Sequence, residues 1–333
     1  MKVGVTGAAG FVGKHLVERL IKDGHEVAVT DHPRCCFDDF KALGARAFPV
    51  DLCERAGLEE CFRGAEVVFH VAAFASPWGR REKFWAVNVR GTENVIQACR
   101  LAGVGRLVAV SSTAAVFDGY THHVQADESL PYPTKFLSPY GETKSVAEQR
   151  VLAANGPDLK TVAIRPHLIW GPRDRTFLAR LLMHARSGPI YHVGGGATET
   201  DTTYVDNLVD GLLLAAQSER APGRAYFITN GEPVRYGEFI SRFLDILEMP
   251  QPRGSIPTSL AYGVGAVFEA VWKVFGLKQE PMLTRYKVAE LACTHTYKID
   301  RARQDLGYHP RVSNEEGFAR LAAWVQEVGV GSC

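Results

Sequence analysis

The chain has 333 residues, 46% of them apolar and 23% charged, the composition of an ordinary water-soluble globular protein with room for one large domain or two joined lobes. A formal net charge of +1 removes the electrostatic case for a nucleic-acid partner. The seven cysteines (Cys35, Cys36, Cys53, Cys61, Cys99, Cys293 and Cys333) are odd in number and show no zinc-type spacing, so free thiols in a reducing compartment are expected. The opening MKVGVTGAAGFVG lacks the sustained apolar stretch of a signal peptide, and a cytoplasmic protein is the expectation.

In chain order, apolar runs predict strands over Lys2–Thr6, Glu26–Asp31, Arg46–Val50, Glu66–Ala72, Arg106–Ser111 and Thr161–Arg165. Helical patterns fall between them at Phe11–Lys22, Lys83–Ala102 and Pro139–Asn155. Strands apolar on both faces, alternating with helices, imply an α/β protein with a doubly wound parallel sheet. After Pro166 the pattern loosens into a triple-glycine loop, a helix near Asp206–Ser218, a strand at Arg224–Thr229 and a helix-rich tail. The expected division is a dinucleotide-binding unit over 1–165, to which 201–230 returns, and a smaller helix-rich substrate lobe made of 166–200 and 231–333.

The segment Thr6-Gly7-Ala8-Ala9-Gly10-Phe11-Val12-Gly13 follows a strand and opens a helix. Gly7 permits the tight turn, Gly10 lets the backbone approach a pyrophosphate, and Gly13 lets the helix pack closely. Helix N-terminal amides then face phosphate. Asp31 ends the second strand, where a carboxylate bonds an adenosine ribose and repels a 2′-phosphate, so NAD is expected over NADP. Arg34 is the residue that could instead meet a 2′-phosphate, which leaves NADP open. A P-loop is excluded, because Ala8 stands where its first glycine belongs and His15 where its magnesium-binding hydroxyl belongs.

Tyr140 and Lys144 lie four apart on a predicted helix, with Ser138 as N-cap and Pro139 as first helical residue. A free phenol titrates near about 10, and a neighbouring ammonium is expected to bring it into a useful range. Alone, that spacing also describes a solvated helix face. The preceding strand delivers Ser111-Ser112-Thr113 at its C-terminal end, where ligands collect in open α/β sheets, so Ser112 or Thr113 is expected to hold the substrate oxygen. No metal-ligand cluster is read; the adjacent His122-His123 pair is taken as loop surface.

Together these segments resemble the extended short-chain dehydrogenase/reductase family with its Rossmann-type fold, over nearly the whole chain. The matching stretches include TGAAGFVG at 6–13, Asp51-Leu52, His70-Val71-Ala72-Ala73, Asn88 in NVRGTENV, SST at 111–113, YGETK at 140–144, RPHLIWGP at 165–172 and TTYVDN at 202–207. The resemblance implies that Phe11 and Val12 join the glycines at the pyrophosphate, and that Asp51 and Leu52 lie near adenine. It places Ala72, Ala73 and Asn88 along the cofactor and Pro166, His167 and Ile169 beside the nicotinamide, gives Lys144 a second bond to ribose, and implies a homodimer. Leu168 replaces the Asn usual in sugar-nucleotide epimerases, and Ala114-Ala115 replaces the Asp-Glu of dehydratases. RPHLIWGPRD, DTTYVDNLVDGLLLAA and RAYFITNGEP resemble instead the 3β-hydroxysteroid dehydrogenase branch, particularly sterol-4α-carboxylate 3-dehydrogenases. The bacterial 2-alkyl-3-oxoalkanoate reductases of long-chain olefin synthesis are a close second; an NAD-retaining epimerase or a non-catalytic dinucleotide sensor are further alternatives. The apolar stretch Leu260–Leu277 is broken by Glu269 and Lys273, which argues against a membrane span. It is read as a lid or peripheral membrane helix, or equally as an ordinary core helix.

Overall fold

A computed structural model describes residues 1–277 and 279–330; Cys333 lies outside the described residues. Seven strands form the main sheet: β1 (Lys2–Thr6), β2 (Glu26–Asp31), β3 (Arg46–Pro49), β4 (Val67–His70), β5 (Arg106–Val110), β6 (Lys160–Pro166) and β7 (Ala225–Ile228). They run in the order β7-β6-β5-β4-β1-β2-β3, and every neighbouring pair is parallel. The chain order reverses between β1 and β4, and the C-terminal ends of those strands open a crevice there.

Each face of the sheet carries its own core, which is why its strands read as continuous apolar runs. On one face α1 (Phe11–Lys22) presents Leu16, Val17 and Leu20 to Val3, Val5 and Val29. On the other, Val95, Ile96 and Cys99 of α2 (Gly91–Leu101) pack with Leu58, Phe62 and Leu107. A third core in the C-terminal half gathers Trp170, Tyr204, Phe239, Phe243 and Phe318. The six cysteines among the described residues are all free.

The helix expected over Lys83–Ala102 is interrupted. Arg81–Phe84 is α-helical, Trp85–Arg90 is a π-helical turn, and α2 follows. Such turns recur at functional sites, and this one carries Asn88. The helix α3 (Pro139–Ala153) begins as its sequence predicts. Ser138 accepts a hydrogen bond from the Gly141 N–H at 3.2 Å, and Pro139 occupies the first turn.

One ion pair fastens α3 to the sheet. Arg165 on β6 donates from Nε to both oxygens of Glu148 at 3.0 Å and from Nη2 to Oε1 at 2.5 Å. Both side chains are buried, 3% and 0% exposed, and Tyr132 donates to Glu148 Oε1 at 2.7 Å.

Later helices are α4 (Phe177–Ser187), α5 (Val205–Gln217), α6 (Thr258–Val274) and α7 (Arg285–Ala292). The helix α5 packs against α1, β5 and β6. The core reading of Leu260–Leu277 is corrected, because on α6 only Ala261, Gly265 and Glu269 are buried. Glu269 turns inward to a bidentate pair with Arg285, while Leu260, Val264, Val267, Val271 and Val274 are exposed at helical spacing. Among the described residues no helix is long and apolar enough to cross a membrane.

His122-His123 is also corrected. His123 is 3% exposed and starts the strand His123–Ala126, which pairs with His295–Tyr297 in a second, four-stranded sheet. Neither strand is apolar enough to be recognised from its own sequence; the pairing exists because two distant segments meet.

Removing one member of a buried ion pair leaves the other charged and desolvated. Glu148→Ala is therefore expected to lower the unfolding free energy by about 3–5 kcal/mol, read as a shift in the urea midpoint; a shift near zero would contradict the anchoring role.

Candidate active site

The glycine turn closes on itself so tightly that side chains are excluded. Gly7 has φ +72°, and a Cβ there would stand 2.5 Å from the Ala72 backbone nitrogen. A Cβ on Gly13 would stand 2.0 Å from the Gly7 carbonyl oxygen. Asp31 latches this turn, as its Oδ2 accepts the Ala9 N–H at 2.9 Å and its Oδ1 the His32 N–H at 2.7 Å. These residues fit a dinucleotide: a bare backbone cradle at a helix N-terminus with a carboxylate beside it.

From that turn a continuous cleft of about 1150 Å³ runs along the strand ends. Gly7, Gly10, Phe11, Val12, Gly13 and Asp31 line its first part, followed by Asp51, Leu52, Ala72 and Ala73. Ser112, Thr113, Tyr140 and Lys144 stand at the middle, with Pro166, His167, Leu168 and Ile169 opposite. Arg34 is exposed and does not line the cleft. Leu168 holds φ +34°, a conformation that Asn tolerates and Leu does not favour.

Asn88 alone among the expected cofactor residues stays out of the cleft wall. It is 2% exposed, accepts the Phe74 N–H at 2.7 Å, and donates to the Phe74 carbonyl at 3.3 Å and the Thr143 hydroxyl at 3.1 Å. Its side chain ties the loop after β4 to α3, so it positions the wall.

The two hydroxyls after β5 have different partners. Ser112 lies beside Tyr140 in the cleft wall and acts to lower its phenol, and its oxygen accepts the Ala114 N–H at 3.1 Å. Thr113 bonds His167 Nδ1 at 2.7 Å, and His167 Nε2 meets the Thr200 hydroxyl at 3.0 Å. Burial pushes His167 down to about 3, with His123 adding to the effect, so the imidazole is neutral.

Lys144 does not bring the Tyr140 phenol down, as the four-residue spacing suggested. Its Nζ turns to the Val110 carbonyl at 2.7 Å, and burial lowers it to about 8 against the pull of Glu148. The phenol itself is raised, first by burial; Ser112 and Arg180 act to lower it and Glu290 to raise it. The His70 ring behind Lys144 bridges the Thr6 and Thr92 hydroxyls at 2.8 and 2.9 Å, and burial holds it neutral at about 3.

Beyond Tyr140 the cleft widens against α4, α7 and the segment before α7. Phe177, Leu181, Ile240, Met282, Leu283 and Leu291 make this end apolar, while Arg180, His184, Lys287 and Glu290 bring charge and polarity to it. None of these was singled out from sequence. The available signal was Phe177, Arg180, Leu181 and His184 at helical spacing, which marks one face but not what it faces.

The model of the 3-beta hydroxysteroid dehydrogenase/isomerase family matches residues 4–258. A 2-alkyl-3-oxoalkanoate reductase of Stenotrophomonas maltophilia is 41% identical, over 97% of this chain and 99% of that one. A human sterol-4-alpha-carboxylate 3-dehydrogenase, decarboxylating, is 36% identical over 95% of this chain and 86% of its own length. The solved structure of MoeE5 in complex with UDP-glucuronic acid and NAD superposes with a TM-score of 0.75 at 28% identity, covering 98% of this chain and 99% of that one.

Asn88→Ala breaks the tie to both Phe74 backbone groups and strands them. It is expected to cost about 2–3 kcal/mol of stability, read by thermal or urea unfolding; an effect on cofactor affinity with unchanged stability would instead place Asn88 on the ligand.

Proposed function

Since the chain belongs to the 3-beta hydroxysteroid dehydrogenase/isomerase family, and is with it an NAD(P)-dependent oxidoreductase, we propose that it interconverts a 3-oxo and a 3-hydroxy acid bearing a long alkyl substituent at C2, with NAD as its hydride partner. The observation that carries this reading is the single cleft, which joins the glycine turn to an apolar chamber and has Tyr140 at the junction. The names of the relatives add the substrate class. One reduces a 2-alkyl-3-oxoalkanoate and the other dehydrogenates a 4-carboxysterol, so both place a carboxylate on the carbon adjacent to the one that carries the reacting oxygen.

NAD, when bound, supplies the hydride acceptor or donor. Gly7, Gly10 and Gly13 leave room for its phosphates, and Asp31 meets the adenosine ribose. Tyr140 exchanges a proton with the substrate C3 oxygen, and Ser112 stands beside the phenol. Burial raises the phenol, which favours the protonated form that gives a proton to a ketone oxygen. Lys144 holds the end of β5 through Val110 and remains within reach of the cleft.

A second reading, oxidation of a 4-carboxysterol followed by loss of CO2, is supported by the name of the human relative, and Asp31 suits the NAD that either reading uses. The new ketone would then accept the electrons released when the carboxylate departs. For either lipid, the exposed stripe on α6 offers a surface that rests on a bilayer beside the chamber formed partly by Met282 and Leu283.

Tyr140→Phe is expected to reduce turnover of a 2-alkyl-3-oxo acid with NADH by about 1000-fold while NADH binding, followed by its nicotinamide fluorescence, stays within threefold, as is usual when only an acid–base group is lost. Near-normal turnover would sink the assignment. Val267→Asp with Val271→Asp is expected to abolish flotation with phosphatidylcholine vesicles, and unchanged flotation would remove the membrane contact.

A further inference from the structure

The far end of the cleft contains an arrangement that an apolar lipid alone does not call for. The helix α4 turns Phe177, Arg180, Leu181 and His184 into it, at positions that share one helix face. Across from them α7 contributes Lys287 and Glu290. Two cations there share one carboxylate. Glu280 pairs with Arg180 Nε at 3.5 Å and also with the Lys287 ammonium, and it stands behind the wall without lining the cleft.

The bonding of Arg180 is incomplete. Among the described residues, its guanidinium makes no hydrogen bond, and its ion pair with Glu280 is long, 3.5 Å at Nε. The planar guanidinium therefore keeps hydrogen-bonding capacity, and its fork geometry matches a carboxylate. The His184 ring likewise has no hydrogen-bond partner among the described residues, and burial together with Lys287 pulls it down, so it is a neutral N–H donor. Glu290 is the opposing group on the same wall. Burial raises its carboxyl toward the neutral acid, while Tyr286, Lys287 and Arg180 act against that.

Arg180 and Tyr140 line the same cleft. In a 3-hydroxy or 3-oxo acid, the carboxylate hangs two bonds from C3. A cation close to, but distinct from, the proton-transfer group is what such a substrate requires.

We propose that Arg180, flanked by Lys287 and His184, is the carboxylate-recognition residue of this site, so that the enzyme selects the free acid over its ester and over the ketone or alcohol that lacks the carboxyl group. This deepens the reading above and rests on it. In this role Arg180 sets specificity and orients C3, while proton transfer remains with Tyr140.

The stable direction of the reaction gives a clean test. Wild type, Arg180→Gln and Arg180→Lys are assayed with NAD on a 2-alkyl-3-hydroxy acid and on its methyl ester; each turnover moves hydride from C3 to NAD and releases the hydroxyl proton. Wild type is expected to prefer the acid, and Arg180→Gln to lose about 100-fold in kcat/KM on the acid, mostly through KM. The ester, which lacks the charge that Arg180 meets, is expected to lose far less than the acid in the same variant, so the acid-to-ester preference falls at least about tenfold, while thermal unfolding of the variant reports on folding. Arg180→Lys is expected to recover part of the loss. Equal use of acid and ester by wild type, or an equal loss on both in Arg180→Gln, overturns the proposal. Turnover of neither compound by wild type is a different result, which overturns the substrate reading itself.

Discussion

The buried pair between Glu148 and Arg165 is the constraint on which the centre of this molecule depends. Tyr140, Lys144 and Glu148 follow one another at four-residue spacing on α3, so they share a face. The last of them is clamped to β6 by three hydrogen bonds, which sets the rotation of the helix about its axis. With that rotation set, Lys144 meets the Val110 carbonyl at the end of β5 and Tyr140 meets Ser112 just beyond it. A buried pair is a poor source of net stability compared with apolar packing. Its value here is geometric, since it holds Tyr140 to a strand end that belongs to a different layer.

Around that centre the cleft is divided electrostatically. On the strand side the two imidazoles are neutral and satisfied. His70 lies between two threonines, His167 between two others, and burial keeps both imidazoles uncharged. At the far end the groups are charged and only partly satisfied, with Arg180 and Lys287 sharing Glu280. Tyr140 stands where the two environments meet, and its phenol responds to Arg180 and Glu290 as well as to its own burial. Desolvation raises the cost of every unpaired charge, so the charged end gains most from a ligand that brings an opposite charge.

Much of this was legible in the chain because the features are local. The glycine turn is written in eight consecutive residues, and its steric demand at Gly7 and Gly13 needs no knowledge of the rest. The start of α3 is written in Ser138 and Pro139, and all seven main strands announce themselves as apolar runs within a residue or two of their observed ends. Features that depend on distant segments were misread. His123 looked like loop surface because its partner strand lies more than 170 residues away. Asn88 looked like a ligand contact because only the folded loop shows that Phe74 and Thr143 hold its side chain.

The sequence by itself determined the parallel α/β layering, the nucleotide-type turn with Asp31 beside it, and the pairing of Tyr140 with Lys144 on one helix. Each follows from backbone sterics or helical and strand periodicity, which act over a few residues. Only the tertiary structure decided which hydroxyl meets the phenol, which way Lys144 points, and what stands at the far end of the cleft. Those outcomes depend on side chains brought together across hundreds of residues of chain, and on the burial that shifts their charges, neither of which has a local signature.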